Sequence, residues 1–151
     1  MAPRKYVLDS NCYIDAARDP AAHAAFGVFC DQAAPALFLS AVVAAELRAG
    51  AGDAPTRRVL EEQIIAPFVR RGRLLTPSAR SWEALGTTLS LLRERQGLQL
   101  AQVLKSFVFD ILLAHSCREA GAVLVSRNTR DLARIASVFT FDHVAPYPNL
   151  R

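Results

Sequence analysis

Residues Ala122-Val123-Leu124-Val125 form an uninterrupted apolar run that begins directly after Gly121. A short run of this kind, bounded by turn residues, predicts a strand that is buried on both faces. Residues 102–120 are apolar on most sides, which indicates a helix packed against that strand. The pattern over residues 129–136 predicts a further helix, with Thr129 placed to cap it. Strands buried on both faces are typical of parallel sheets covered by helices.

The same two patterns alternate along the rest of the chain. Further strands are predicted at residues 6–9, 37–39, 73–76 and 138–141. Further helices are predicted at residues 11–17, from Pro20 to near Phe29, and at 41–49, 56–66 and 78–96. The alternation predicts an α/β fold of three layers, with a central parallel sheet of four or five strands and right-handed crossovers. Pro67 is expected to end its helix, and the tail from Asp142 is expected to be an extended edge or a loop.

Composition favours one soluble, globular domain over residues 1–151. The chain is 52% hydrophobic with 7 glycines and 8 prolines, which excludes disordered and collagen-like classes. Cys12, Cys30 and Cys117 are odd in number and lack C-x-x-C spacing, so a reducing, cytoplasmic location is expected. No apolar segment is long enough for a membrane span or a classical export signal.

Three carboxylates lie inside strongly apolar stretches of the sequence. Asp9 follows Tyr6-Val7-Leu8, Glu46 interrupts an alanine and valine run, and Asp110 is the only charge between Phe107 and Ala114. A single such acid is more often a helix cap than a functional group. Three acids in the same unusual context favour a metal site, because buried carboxylates are rare unless they are paired or bound to a metal.

Asp131 follows the strand at 122–125 and is the fourth candidate acid. In parallel sheets ligands bind beyond the carboxyl ends of the strands, where Asp9 and Asp131 are both expected. The helix dipole favours an acid in the first turn of a helix regardless of function, so this position is also explained without a site. An oxygen-rich cluster selects Mg²⁺ or Mn²⁺ over zinc.

Other catalytic classes have no support in the sequence. The three histidines lack zinc spacing, no G-x-S-x-G elbow is present, and no phosphate-binding P-loop occurs. A carboxylate-bound Mg²⁺ suits phosphodiester hydrolysis. The net charge of +4 favours a polyanionic partner, although clusters of positive charge are often only a solvated surface. Lys105, Arg127 and Arg130 are the candidates for binding the phosphate backbone of such a partner.

Four segments of the chain resemble the motifs of the PIN-domain nucleases, and in particular of VapC-like toxins from type II toxin–antitoxin pairs. The segments occur in the same order as those motifs. Residues 7–11 resemble the opening D-T-N motif with serine for threonine, and residues 45–50 resemble the E-L-x-x-G helix. Residues 110–114 resemble the third acidic motif, and residues 125–132 resemble T-x-N-x-x-D-F with Leu132 at the aromatic position. The resemblance covers nearly the whole chain.

The resemblance implies a site residue by residue. The implied catalytic acids are Asp9, Glu46, Asp110 and Asp131, of which Asp9 and Asp110 are the expected metal ligands. The implied hydrogen-bonding partners that orient these acids are Asn11, Ser126 and Asn128. Asn128 and Asp131 compete for the fourth position of the site.

The resemblance further implies a cytoplasmic ribonuclease that forms a homodimer and is silenced by a cognate VapB-like antitoxin. The antitoxin tail is expected against the helices at 11–17 and 56–66. One alternative is a PIN-like module that binds RNA or protein without catalysis. Another is a phosphatase with one Mg²⁺ that acts on small molecules.

Overall fold

The computed structural model describes residues 4–150 and contains one five-stranded parallel sheet. The strands are β1 (Lys5–Leu8), β2 (Leu37–Ser40), β3 (Leu74–Leu75), β4 (Ala122–Val125) and β5 (His143–Val144). Their order across the sheet is β3-β2-β1-β4-β5, and every neighbouring pair is parallel. The predicted α/β class and parallel sheet are confirmed.

The strand order switches sides at β1, because β2 and β3 lie on one side of it and β4 and β5 on the other. The chain leaves β1 toward β2 and β3 on one side, then returns to pair β4 with the other side of β1. In the β1–β4 register Leu8 lies opposite Val125, so Asp9 and Ser126 are the residues that follow the two paired ends. Ligands bind at this kind of switch point in open α/β sheets.

The helices connect consecutive strands. They are α1 (Ser10–Arg18), α2 (Pro20–Ala33), α3 (Ala41–Gly50), α4 (Ala54–Val59), α5 (Ala66–Arg70), α6 (Ala79–Gln96), α7 (Lys105–Ala120) and α8 (Thr129–Ala136). A π-helical turn, Leu60–Ile65, joins α4 to α5, and a short 3-10 turn, Leu100–Gln102, precedes α7. Crossovers of the predicted right-handed sense would place the helices before β3 and those after it on opposite faces of the sheet.

Helix α7 is the central helix of the fold. Ile111, Leu113 and Ala114 are fully buried, and Asp110 lies in the same buried stretch. Gly121 ends the helix in the left-handed conformation with φ of 69°, which a residue without Cβ adopts at little cost. The predicted strand at 122–125 follows at once and is buried at every position. An apolar helix of this kind therefore carries an acid into the interior.

The last strand lies later in the chain than the prediction of 138–141. The backbone amides of Val138 and Phe139 donate to the carbonyl of Ile135, so these residues complete the end of α8. Phe139 stacks on His115 with 3.7 Å between ring centroids, and its apolar character serves that packing. Residues 143–144 pair with β4 instead, within the tail that was predicted to be an edge or a loop.

Two predicted helix boundaries are also wrong. Pro67 does not end its helix, because it occupies the first turn of α5, where a missing amide donor is tolerated. The π-helical turn directly before it changes the hydrogen-bond register, so the chain stays helical to Arg70. Helix α7 starts at Lys105 and not at residue 102, because Val103 and Leu104 are extended. No helix within residues 4–150 is long and apolar enough to cross a membrane.

Candidate active site

Asp9 lies where β1 passes into α1 and is only 3% exposed. Its side chain accepts a hydrogen bond of 2.7 Å from the backbone amide of Ser10. Asp9 is therefore the N-cap of α1, and Ser10 is the first residue of the helix. The amino-terminal end of α1, where the helix dipole is positive, therefore faces the carboxylate of Asp9.

Ser126 connects the end of β4 to the end of β1. Its hydroxyl donates to Oδ2 of Asp9 over 2.7 Å and accepts hydrogen bonds from Nδ2 of Asn11 and from the backbone amide of Asn128. Nδ2 of Asn11 also lies 3.3 Å from Oδ2 of Asp9, and its Oδ1 accepts from the amide of Arg127. Ser126 and Asn11 thus hold one oxygen of Asp9 in a fixed direction.

Asn128 links two further acids at the start of α8. Its Nδ2 donates to Oδ2 of Asp110 over 2.9 Å and to Oδ2 of Asp131 over 3.1 Å. An amide nitrogen carries two hydrogens, so it can satisfy both contacts at once. Asp110 is 5% exposed, whereas Asp131 is partly exposed. The predicted acids and amides from β1, α7 and α8 therefore form one connected group.

Glu46 reaches this group from α3. Burial raises the pKa of Glu46 to about 7, with a further contribution from the negative charge of Asp9, while a hydrogen bond from Ser10 acts in the opposite direction. Its Oε1 is buried and has no hydrogen-bond partner within residues 4–150. A buried carboxylate oxygen without a donor is costly, which indicates that the arrangement suits an additional positive group.

The pKa of Asp110 reports the same concentration of negative charge. It is raised to about 8, chiefly by burial and also by the charges of Asp9, Glu46 and Asp131, while the hydrogen bond from Asn128 acts in the opposite direction. The four predicted acids therefore lie within electrostatic range of one another. Within residues 4–150, no three His, Cys, Asp or Glu side chains are arranged to hold a metal ion as they stand.

The donor set fits a hard divalent cation that keeps much of its water. Mg²⁺ binds through one or two carboxylates and retains several waters, so it does not need three protein ligands in contact. Asp9 and Asp110 supply oxygen atoms, and the unpartnered Oε1 of Glu46 supplies a third that can act through water. These residues contain no thiolate or imidazole, which disfavours zinc.

The predicted RNA-binding cations lie at different places around the acids. Arg127 is exposed and forms two hydrogen bonds with the carboxylate of Asp15, of 2.7 and 3.2 Å. Arg130 is exposed on α8, beside Asp131 in sequence. Lys105, the first residue of α7, lines a separate cavity with Leu100 and Phe109. The structure brings Arg127 to the rim of the acid group through Asn11 and leaves Lys105 at another surface.

Two contributing residues were not predicted from the sequence as site residues. Ser10 touches both acids from α1, since its backbone amide bonds Asp9 and its side chain faces Glu46. Asp15 fixes the guanidinium of Arg127. The signal for Asp15 was its spacing of four residues from Asn11, which places both side chains on one face of α1.

Comparisons with known proteins agree with this architecture. A chain of the FitAB complex bound to the IR36 DNA fragment superposes with a TM-score of 0.70 at 18% identity, covering 97% of this chain and 98% of that one. A chain of DNA-bound VapBC from Salmonella typhimurium gives 0.68 at 21% identity, with 95% and 98% covered. FitAcB from Neisseria gonorrhoeae gives 0.67 at 18% identity, with 91% and 95% covered.

No curated protein sequence matches the chain significantly. The PIN domain family matches residues 6–138, a span that contains all four acids. The resemblance drawn from the sequence motifs is thereby confirmed at the level of the family. The nucleases of this family are hydrolases that act on nucleic acids. On its sequence match and its fold, this chain belongs to the PIN domain family.

Proposed function

We propose that the protein is a metal-dependent endoribonuclease toxin that a cognate VapB-like antitoxin neutralises. The observation that carries the proposal is the group of acids around Asp110. Burial and three neighbouring carboxylates raise the pKa of Asp110 to about 8, and a buried oxygen of Glu46 has no protein donor within residues 4–150. A divalent cation would relieve both conditions at once.

The proposed roles follow from the contacts. Asp9 and Asp110 would hold Mg²⁺ or Mn²⁺, and Glu46 would contribute through its buried oxygen. A bound ion of this type polarises a phosphate oxygen and lowers the pKa of an attacking water. Asn128 donates to two acids, so we assign it to positioning and assign the fourth acidic position to Asp131.

Further residues of the chain orient the acids and hold the substrate. The hydroxyl of Ser126 keeps Oδ2 of Asp9 directed into the group, with Asn11 as its second partner. Arg127 and Arg130 would bind phosphates beside the acids, because carboxylates alone repel the RNA backbone. Lys105 would contact the RNA only at nucleotides further from the cut, since it lines a different cavity.

The proposed antitoxin site is a groove beside Glu46. It has a volume of about 350 Å³ and lies between α1 and α4, with apolar walls from Ile14, Leu47 and Val59. Ile14 and Val59 are 37% and 47% exposed, so an apolar segment of an antitoxin would bury them. A peptide in this groove would reach the acids and block access to them. The structural relatives include chains of VapBC and FitAB complexes, which supports a partner of this kind.

Homodimer formation and a cytoplasmic location are parts of the same proposal. The resemblance to VapC-like toxins carries both, and the free thiols of Cys12, Cys30 and Cys117 suit a reducing compartment. Light scattering of the purified chain measures the first, with the mass of two chains expected. Fractionation of cells that express the protein measures the second.

The decisive assay for the activity uses purified protein with a mixed pool of folded and single-stranded RNA. We expect cleavage in Mg²⁺ or Mn²⁺ and none in chelator, and weaker or no cleavage of DNA of matched sequence. Cleavage that continues in chelator would overturn the metal-dependent mechanism. RNA binding without cleavage under every metal condition would favour the non-catalytic binding module.

A further inference from the structure

A polar cavity is lined by Asp131, and its other lining residues form no hydrogen bond with the acid group. Its volume is about 370 Å³, within the range of cavities that hold small ligands. Its walls come from the turn before α7, from α7 itself and from α8. Because Asp131 lies on one wall, a group bound in this cavity would be next to the proposed cleavage site.

One of the lining residues is an exposed arginine, Arg134, placed over an aromatic ring. The guanidinium carbon of Arg134 lies 5.3 Å from the ring centroid of Phe107, which is 7% exposed. Nε of Arg134 donates to Oε1 of Gln96 over 3.0 Å, and Nε2 of Gln96 donates to the hydroxyl of Ser137. That hydroxyl in turn donates to the carbonyl of Arg134. These contacts favour one orientation of the guanidinium, with Phe107 on one side of it.

The hydrogen-bonding groups of the cavity are available to a ligand. Gln99 and Gln102 lie three residues apart at the 3-10 turn, where such side chains project from the same side. Their side-chain amides have no hydrogen-bond partner within residues 4–150, and the same is true of the two Nη atoms of Arg134. Each glutamine amide offers both donors and an acceptor.

These features suit the binding of an unpaired, unstacked RNA base. Proteins read RNA sequence chiefly on unpaired bases, which they stack on aromatic or guanidinium planes and contact with hydrogen-bonding side chains. Arg134 supplies such a plane and a positive charge, and Gln102 supplies an amide that can contact a base edge. We infer that this cavity holds one unpaired nucleotide of the RNA next to the cut phosphate, and that Arg134 and Gln102 select its base.

The inference rests on the proposed nuclease function, and it is tested with a pool of short single-stranded RNAs of random sequence. Cut sites are sequenced for the wild type and for Gln102→Ala, Arg134→Lys and Arg95→Lys. Arg95→Lys is the matched control, because it makes the same change on an exposed helix position outside the cavity. Circular dichroism and thermal melts establish that each variant is folded.

We expect the wild type to prefer one base at a fixed position beside the cut by roughly 5- to 150-fold, the range for a base edge read by a well-placed hydrogen-bonding side chain. Gln102→Ala should relax that preference to about twofold or less. Arg134→Lys should weaken binding of the whole pool, because lysine keeps the charge and loses the plane. Unchanged preference and affinity in both variants would overturn the inference, even if the protein is a nuclease.

A second readout separates this inference from the nuclease proposal. The same pool is bound to each protein in chelator, where no cleavage is expected, and the retained RNAs are sequenced. A base preference that is present in the wild type and lost in Gln102→Ala supports the cavity even if no RNA is ever cut. Absence of any preference in the retained RNAs, together with cleavage that has no preference, counts against the cavity alone.

Discussion

The hydroxyl of Ser126 donates a hydrogen bond of 2.7 Å to Oδ2 of Asp9, across the junction where β4 meets β1. The same hydroxyl accepts from Asn11 and from the amide of Asn128. One buried oxygen atom therefore holds together segments that are more than a hundred residues apart in sequence. Three other predicted site residues, Asp9, Asn11 and Asn128, contact this one hydroxyl.

Replacing Ser126 with alanine should destabilise the protein and loosen the site. The change leaves the backbone amide of Asn128 without its acceptor and removes the buried donor to Oδ2 of Asp9, so the free energy of unfolding should fall by about 1–3 kcal/mol. Affinity for Mg²⁺ should fall by roughly 10- to 100-fold, as when a residue that orients a metal ligand is lost. Denaturant unfolding and calorimetric titration measure the two effects. Ser126→Thr retains the hydroxyl and should keep most of the affinity; equal losses in both variants would refute this role.

The stability of the metal-free protein should fall as the pH rises from about 4 to about 8. Burial raises the pKa of Asp110 from 3.8 to about 8, so the folded state favours the protonated acid. This contribution is fully present below the unfolded pKa and is lost as the pH approaches the folded pKa. Denaturant unfolding in chelator measures the slope. Asp110→Asn, which cannot titrate, should flatten the slope, leaving the part due to Glu46; an unchanged slope would contradict the burial of a charged group here.

Glu46→Gln should reduce the stabilisation that a divalent cation gives. The substitution removes the negative charge that faces Asp9 and keeps the size of the side chain. Thermal melts at pH 8 with and without Mg²⁺ should show a large metal-induced rise in Tm for the wild type and a smaller one for the variant. Glu62→Gln, at an exposed position of the π-helical turn, is the control and should behave as the wild type. An equal rise in all three proteins would exclude Glu46 from the metal site.

Asp15→Asn should strengthen RNA binding. Asp15 currently neutralises Arg127 in an ion pair whose arginine side chain is 66% exposed, so breaking the pair should change stability by less than about 1 kcal/mol. The released guanidinium can then contact a phosphate, and the salt dependence of binding should steepen by about one counterion. Fluorescence anisotropy with single-stranded RNA over a salt series measures this. Weaker binding in the variant would indicate that Arg127 acts only through its contact with Asp15.

The sequence predicted which acids the fold buries close together better than it predicted the boundaries of the elements around them. Asp9 and Asp110 could be identified because a carboxylate inside an apolar stretch is rarely buried unless it is paired or bound to a cation. Their contacts could not be identified, because Asp9 and Ser126 are brought together only by the pairing of β1 with β4. The strand order that makes this pairing adjacent is a property of the whole fold.

The errors have local physical causes. Val138 and Phe139 have the composition of a strand, but their backbone amides complete the turn after α8 and the ring of Phe139 packs on His115. The surroundings of Arg134 could not be predicted from the sequence either, since Phe107 and Gln96 contact Arg134 from two other helices. Residue patterns identify what is buried, whereas contacts between distant elements require the tertiary structure.

The most direct test of the catalytic assignment is a comparison of RNA cleavage by the wild type, Asp110→Asn and Asp142→Asn in Mg²⁺. Asp142 is an exposed acid that pairs with Arg4, so its substitution makes the same chemical change away from the acid group. We predict cleavage by the wild type and by Asp142→Asn, and none by folded Asp110→Asn. Cleavage by Asp110→Asn at the wild-type rate would contradict the assignment of the buried acids as the catalytic site.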